Sequence, residues 1–198
     1  LGDVYKRQVF GYVIGFVMEV RLHSSIDKRW TIVASAVGLS IFWSSAVTLR
    51  LFDLAPENTS WDLVIFIIGF GTLASACGSI INISVMSALA DIADEHELAT
   101  GRRQEGVFYS ARTFFAKASN GAGHVVAGIA LDLIDFPAQA TVETLTEDQI
   151  FALGLIDGPF AMIWGLMAAV LYAGYRIDKR HHADVQARLV ELRERPAR

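Results

Sequence analysis

The chain has little of what holds small secreted or metal-bound domains together. One cysteine in 198 residues, Cys77, permits neither a disulfide framework nor a cysteine-based zinc site. His96 stands among carboxylates without a second nitrogen or sulfur ligand at metal spacing, so no metal site is expected there. Charged residues make up 19%, against about 25% in soluble domains. Lys and Arg are missing from two stretches, Asp53 to Asp62 and Asp135 to Gln149, and Leu63 to Ala90 has no charge of either sign. The net charge of −4 provides no basic footprint for nucleic acid, which is not an expected partner.

What is abundant is apolar. Hydrophobic residues reach 53% and the mean hydropathy is +0.40, which excludes a disordered chain and argues against a soluble domain. Four runs, Thr31 to Phe52, Leu63 to Ala90, Val107 to Ile134 and Ile150 to Tyr175, exceed the roughly 20 residues that cross a hydrocarbon core. Gly69, Gly71, Ala74 and Gly78, and Gly121, Gly123, Ala127 and Gly128, would let such helices pack closely in lipid. A fifth run, Val9 to Val20, covers only about 18 Å as helix, and reads as a helix entered midway, with a re-entrant segment as the alternative. Residues 1–8 precede it abruptly and are expected to be a non-native scar outside the fold. The expected fold class is all-α, a polytopic membrane protein.

Orientation follows from the basic residues. Twelve of the 17 Lys and Arg fall between the first two runs (Arg21, Lys28, Arg29), in the 91–105 connection (Arg102, Arg103) and in the tail after Tyr175. None falls in the two alternate connections, which places the C-terminus and those loops in the cytoplasm of an inner or plasma membrane protein. Trp30, Trp61, Tyr172 and Tyr175 sit at run ends as interfacial anchors. The tail, 176–198, has Val185, Leu189 and Leu192 on one face, with Asp184/Arg188 and Glu191/Arg195 as i,i+4 pairs. It reads as an amphipathic helix, solvated near anionic lipid, with no specific partner assigned.

Several side chains do not suit lipid. Lys117, Asn120 and His124 fall on one helical stripe of the run Val107 to Ile134, and a mid-bilayer cation costs at least about 2.5 kcal/mol. Lys117 lies about 15 Å deep by helical rise, too deep to snorkel, and is expected to face a protein interior or a water-filled cavity. Arg112, nearer the basic end, can snorkel to the interface. His124 is expected as a neutral packed histidine rather than a proton relay. Asp157, before Gly158-Pro159, either pairs with a cation or marks a broken, hydrated helix start. Asn82 lines a cavity or hydrogen-bonds a neighbouring helix. The connection 91–105 is either a solvated charge run or a set of ion pairs closing one side of a carrier. No nucleophile and base, and no ligand set, converge within the spans, so an enzyme is not expected.

The pattern Ala90-Asp91-Ile92, Asp94, Glu97, Arg103, Glu105, Tyr109-Ser110, Thr113 and Lys117 resembles the glycoside–pentoside–hexuronide:cation symporters, the melibiose permease family of the major facilitator superfamily. The resemblance implies that the runs are a partial eighth helix and helices 9 to 12, most of a C-terminal six-helix bundle. It implies cation-coupled symport of a sugar, glycoside or related small polar solute by alternating access. Lys117 and Thr113 would then face the central cavity, alongside Asn82, Asn120 and His124. Asp91, Asp94, Glu97 and Arg103 would form a charged gate that helps hold the two bundles together. The coupling cation, Na⁺ or H⁺, would bind in the missing N-terminal bundle, and no cofactor is expected. Arg112 and Asn82 depart from the melibiose-type pattern, where a neutral amide and an aromatic stand. Alternatives are a lysolipid or amphiphile carrier of the same superfamily, and a membrane receptor or structural subunit.

Overall fold

In the computed structural model, residues 2–58, 60–141, 144–175 and 177–194 are described, and all their regular elements are helices. These are α1 (Gly2–Ser25), α2 (Lys28–Leu51), α3 (Trp61–Thr100), α4 (Glu105–Leu133) and α5 (Glu147–Leu155), followed by a π turn (Ile156–Phe160), α6 (Ala161–Tyr172) and α7 (Lys179–Glu194). Three helical stretches are long and apolar enough to cross a membrane: Lys28–Leu51, Trp61–Thr100 and Glu147–Tyr172. α4 has the length, about 44 Å at helical rise, but Arg112, Lys117, Asn120 and His124 hold down its apolarity. Together these elements form part of a helical membrane bundle.

The bundle is built on close approaches of small residues. α1 and α3 run parallel, with Gly11, Gly15 and Glu19 forming the buried seam of α1. A Cβ on Gly11 would meet the Thr72 carbonyl and one on Gly15 the Ala76 carbonyl, so only glycine lets the backbones touch. α2 runs antiparallel to α3 and to α5–α6. Gly38 packs on Cys77 of α3, while Gly154, Gly158 and Gly165 pack on Leu51, Thr48 and Ser40 of α2. The interior is accordingly small and hydroxylic, with Ser35, Ser40, Ser44, Ser79 and Ser84 buried. Buried hydroxyls satisfy themselves locally, as Ser40 does by donating to the Ala36 carbonyl at 2.8 Å. Large apolar side chains point outward, including Phe10, Trp43, Ile65, Phe115 and Trp164. This inverted distribution suits lipid, where packing rather than hydrophobicity draws helices together.

Helix ends follow local chemistry. The Ser60 side chain caps α3 by accepting from Leu63 N, and Thr146 and Gln149 form a reciprocal capping box on α5. Asp53 and Asp135, just beyond α2 and α4, take positive φ, as does Gly101 after α3.

Several expectations change. α1 does not begin at Val9. It is helical from Gly2, through residues expected to lie outside the fold, and its 24 residues span about 36 Å. α3 does not end at Ala90; it continues to Thr100, since its charged last turns are good helix formers and no Gly or Pro intervenes before Gly101. The helix around Asp157 is not broken, because the π turn absorbs Pro159 while Gly158 stays buried against Val47 and Thr48. Asp157 itself is exposed. The i,i+4 pairing expected of Arg195 falls outside the described residues.

Candidate functional site

Two regions gather the polar side chains. The first, called here the charged end, unites the start of α2, the last turns of α3, the residues after α6, and α7. Asp91, on α3, is its hub and is 4% exposed. Lys28 Nζ donates to both Asp91 carboxylate oxygens at 2.7 Å, the Tyr175 hydroxyl donates to Oδ2 at 3.2 Å, and His182 Nδ1 lies 3.3 Å from Oδ1. One carboxylate thus ties together α2, α3, the end of α6 and α7. Burial, followed by the Asp91 charge, pushes the Tyr175 phenol above its ordinary value, so it remains a donor. Tyr175, at the end of its apolar run, is thus half-buried and tied to the Asp91 cluster.

The next turn of α3 is held in the same way. Gln186 Nε2 donates to Asp94 Oδ2 at 2.6 Å. Arg103 Nη1 donates to Glu97 Oε2 at 3.0 Å, lies 4.0 Å from Asp94 Oδ1, and also pairs closely with Glu105. Arg193 Nη2 reaches both Glu97 oxygens at 3.0 Å. The Arg193 hydrogen bond, then the charges of Arg193 and Arg103, hold the Glu97 carboxyl below its usual range, against an opposing burial effect. Glu105, then Glu97 and Asp94, raise the Arg103 guanidinium in turn. His96 Nε2 lies 3.1 Å from Gln104 Oε1 and stacks edge-on to Phe108.

The tail helix is thus docked on the bundle by one face rather than solvated all round. α7 lies on α3, burying Val185 and Leu189 to 4% and 2% exposure, while Leu192 remains 48% exposed. Of the predicted gate, Asp94, Glu97 and Arg103 come together and Asp91 sits one turn away with its own partners. The sequence reading missed Lys28, Tyr175, His182, Gln186 and Arg193 as their ligands. The signal available was the i,i+4 pair Val185/Leu189, which needs an apolar surface to cover. Also missed was Glu19, 2% exposed on α1, whose carboxylate accepts a short hydrogen bond from the Ser84 hydroxyl of α3.

The second region is α4. It has no buried residue among those described, and meets α3 only toward its start. There the Tyr109 hydroxyl donates to the Met86 carbonyl at 3.3 Å and Arg112 Nη2 to Asn82 Oδ1 at 2.9 Å. Arg112 therefore does not snorkel to the interface; it turns to Asn82, which makes the interhelical hydrogen bond weighed for it. Both line an open cleft of about 300 Å³ with Leu39, Gly78, Ala116 and Tyr172. Thr113, Lys117, Asn120 and His124 are all exposed, on a face turned about 80° from that contact. The Thr113 hydroxyl donates to its own helix, at Tyr109 O. No Cβ on Gly121, Gly123 or Gly128 would meet an atom of another element within 4 Å, so these glycines of α4 pack on nothing among the described residues. The site residues are thus divided between Asn82 in the cleft and an outer polar stripe.

A bundle of small-residue seams and apolar outer faces, with helices long enough to cross a membrane, is that of an integral membrane protein. Residues 4–179 match a family model described as MFS/sugar transport protein, and the chain belongs to that family. A protein of Synechocystis sp. (strain ATCC 27184 / PCC 6803 / Kazusa), described as an uncharacterized symporter, is 27% identical over 127 residues, covering 60% of this chain and 23% of the relative. The chain thus corresponds to only part of that relative's length. No solved structure matches the chain.

Proposed function

We propose that the chain forms part of the C-terminal bundle of a secondary transporter of the melibiose permease type, which carries a sugar, glycoside or related small polar solute in symport with a cation. The observation that carries this reading is the stripe Thr113, Lys117, Asn120 and His124 on α4, a membrane-length helix. Polar groups at membrane depth need a protein or water-filled surface opposite them. Within this chain the stripe is uncovered, which fits a cavity completed by another bundle. Lys117 supplies a fixed positive charge there, and carboxylates from the opposing bundle answer it. Cation occupancy and solute binding then become coupled through a common electrostatic field. The coupling cation binds outside this chain.

The basic loops and tail support placing the charged end in the cytoplasm. Asp91, Asp94, Glu97 and Arg103 belong to the ordered cytoplasmic rim of the bundle, where Asp91 and Asp94 are buried against partners of this chain and Arg103 is exposed. Solute class is tested by uptake into vesicles containing the full-length carrier, driven by an imposed Na⁺ or H⁺ gradient, with competing sugars and lysolipids. Inhibition by sugars and dependence on the gradient are expected. Inhibition by lysolipids alone would replace the sugar reading with an amphiphile carrier.

A further inference from the structure

The charged end contains a device that the transport reading does not use. α7 meets α3 through five contacts, and only two involve groups whose charge changes near neutrality. Val185 and Leu189 supply the apolar contact, Gln186 binds Asp94, and Arg193 binds Glu97. The remaining two are histidines, each directed at a carboxylate of α3: His181 Nε2 lies 3.0 Å from Glu95 Oε1, and His182 Nδ1 3.3 Å from Asp91 Oδ1. His182 Nδ1 is buried and has no hydrogen-bond partner among the described residues, so at that nitrogen the ring makes no hydrogen bond to α3.

We infer that α7 is a latch on the charged end of α3, whose hold tightens when His181 and His182 take up protons. The tail would thereby sense pH on its side of the membrane. Histidine is the side chain whose charge ordinarily changes between pH 5 and 8. Protonation gives Asp91 a second charged partner, His182, beside Lys28, and converts the His181–Glu95 hydrogen bond into an ion pair.

The neighbouring charges set the size of the effect. Around His182 these are Asp91 of α3, Lys28 of α2, the Tyr175 hydroxyl beyond α6, and Asp178 and Lys179 beside it. Around His181 they are Glu95 of α3, Asp184 and Arg188 of α7, and Asp178, whose side chain accepts from the His181 backbone N–H. Lys28 and Arg188 offset part of the gain, and the His181 pair is half exposed, so each histidine contributes as a surface-type pair does. Together they shift the docked-to-undocked ratio by roughly two- to tenfold. The apolar and Gln186 contacts do not titrate, and Arg193 holds Glu97 ionised, so the rest of the latch is unchanged across this window.

The test is hydrogen exchange of residues 179–194 in the full-length carrier in lipid nanodiscs at pH 5.5 and 8.0, each normalised to the intrinsic exchange rate. Protection is expected to be two- to tenfold higher at pH 5.5 in the native protein and equal at the two pH values in the double variant His181→Gln, His182→Gln. A second double variant, Val185→Asp with Leu189→Asp, undocks the helix and sets the unprotected baseline. Native protection that is flat with pH, or at that baseline, overturns the latch. So does an undiminished pH dependence in the histidine double variant. None of these readouts requires transport, so failure of the latch leaves the transport reading standing, and the reverse also holds.

Discussion

Lys28 and Asp91 form a two-point ion pair, with one ammonium shared between both carboxylate oxygens at 2.7 Å. The partners lie 63 residues apart, on the first turn of α2 and deep in the second half of α3, with side chains 17% and 5% exposed. That geometry fixes the antiparallel register of the two helices at the charged end. Gly38 against Cys77 continues the same register further along.

A buried pair is best tested by removing one member at a time. Lys28→Ala leaves Asp91 buried with only a phenol and a histidine for company, and should destabilise the protein by about 3 kcal/mol. The double variant Lys28→Ala, Asp91→Asn removes the orphaned charge as well and should recover part of that loss. Thermal unfolding in detergent, arranged as a double-mutant cycle, measures the coupling.

The α1–α3 seam leaves no room for side chains. Gly15→Leu places a Cβ on the Ala76 carbonyl and beside the Ser79 Cβ at 2.9 Å. The overpacking should cost about 1–3 kcal/mol or more, read as a lower melting temperature and poorer yield. Gly69→Ala is the control, since nothing lies within 4 Å of its added Cβ, and it should melt like the native protein.

Acid should release the far end of the tail. Because the Glu97 carboxyl is lowered in the folded state from its ordinary value of 4.5, chiefly by Arg193, its contribution is fully present above that value. It is lost as the pH falls through the lower folded value. Protease cleavage after Leu192 should therefore accelerate only in that acidic range. Arg193→Ala should show the faster cleavage already at neutral pH, with little further change on acidification.

Much of the framework was legible in the sequence, and the failures have physical causes. Apolar runs and the clustering of basic residues marked the helices and the end where charges collect. Asn82 was readable because a lone amide in an uncharged span needs a partner. The extension of α3 was not, because six of the ten residues from Asp91 to Thr100 are polar or charged and hydropathy treats such a segment as loop, although its residues form helix readily. Tail docking was half visible: the stripe Val185/Leu189 predicted a helix, but its partner surface is on the charged extension that had been read as a loop. The seam Gly11, Gly15, Glu19 was hidden because the apolar run Val9 to Val20 is shorter than a membrane span, and a Gly-xxx-Gly spacing means little until the helix is long enough to pack. Arg112 was misplaced because snorkelling depends on depth alone in sequence, whereas a hydrogen-bond partner on α3 decided its direction.

The central claim is that Lys117 on the exposed polar face of α4 couples cation and solute. The direct measurement is gradient-driven solute uptake by the full-length carrier with Lys117→Cys, at matched expression, beside the native protein. Removal of a charge that both ligands sense should abolish the stimulation by the cation gradient while the protein still reaches the membrane. Native gradient-driven uptake in Lys117→Cys would contradict the account.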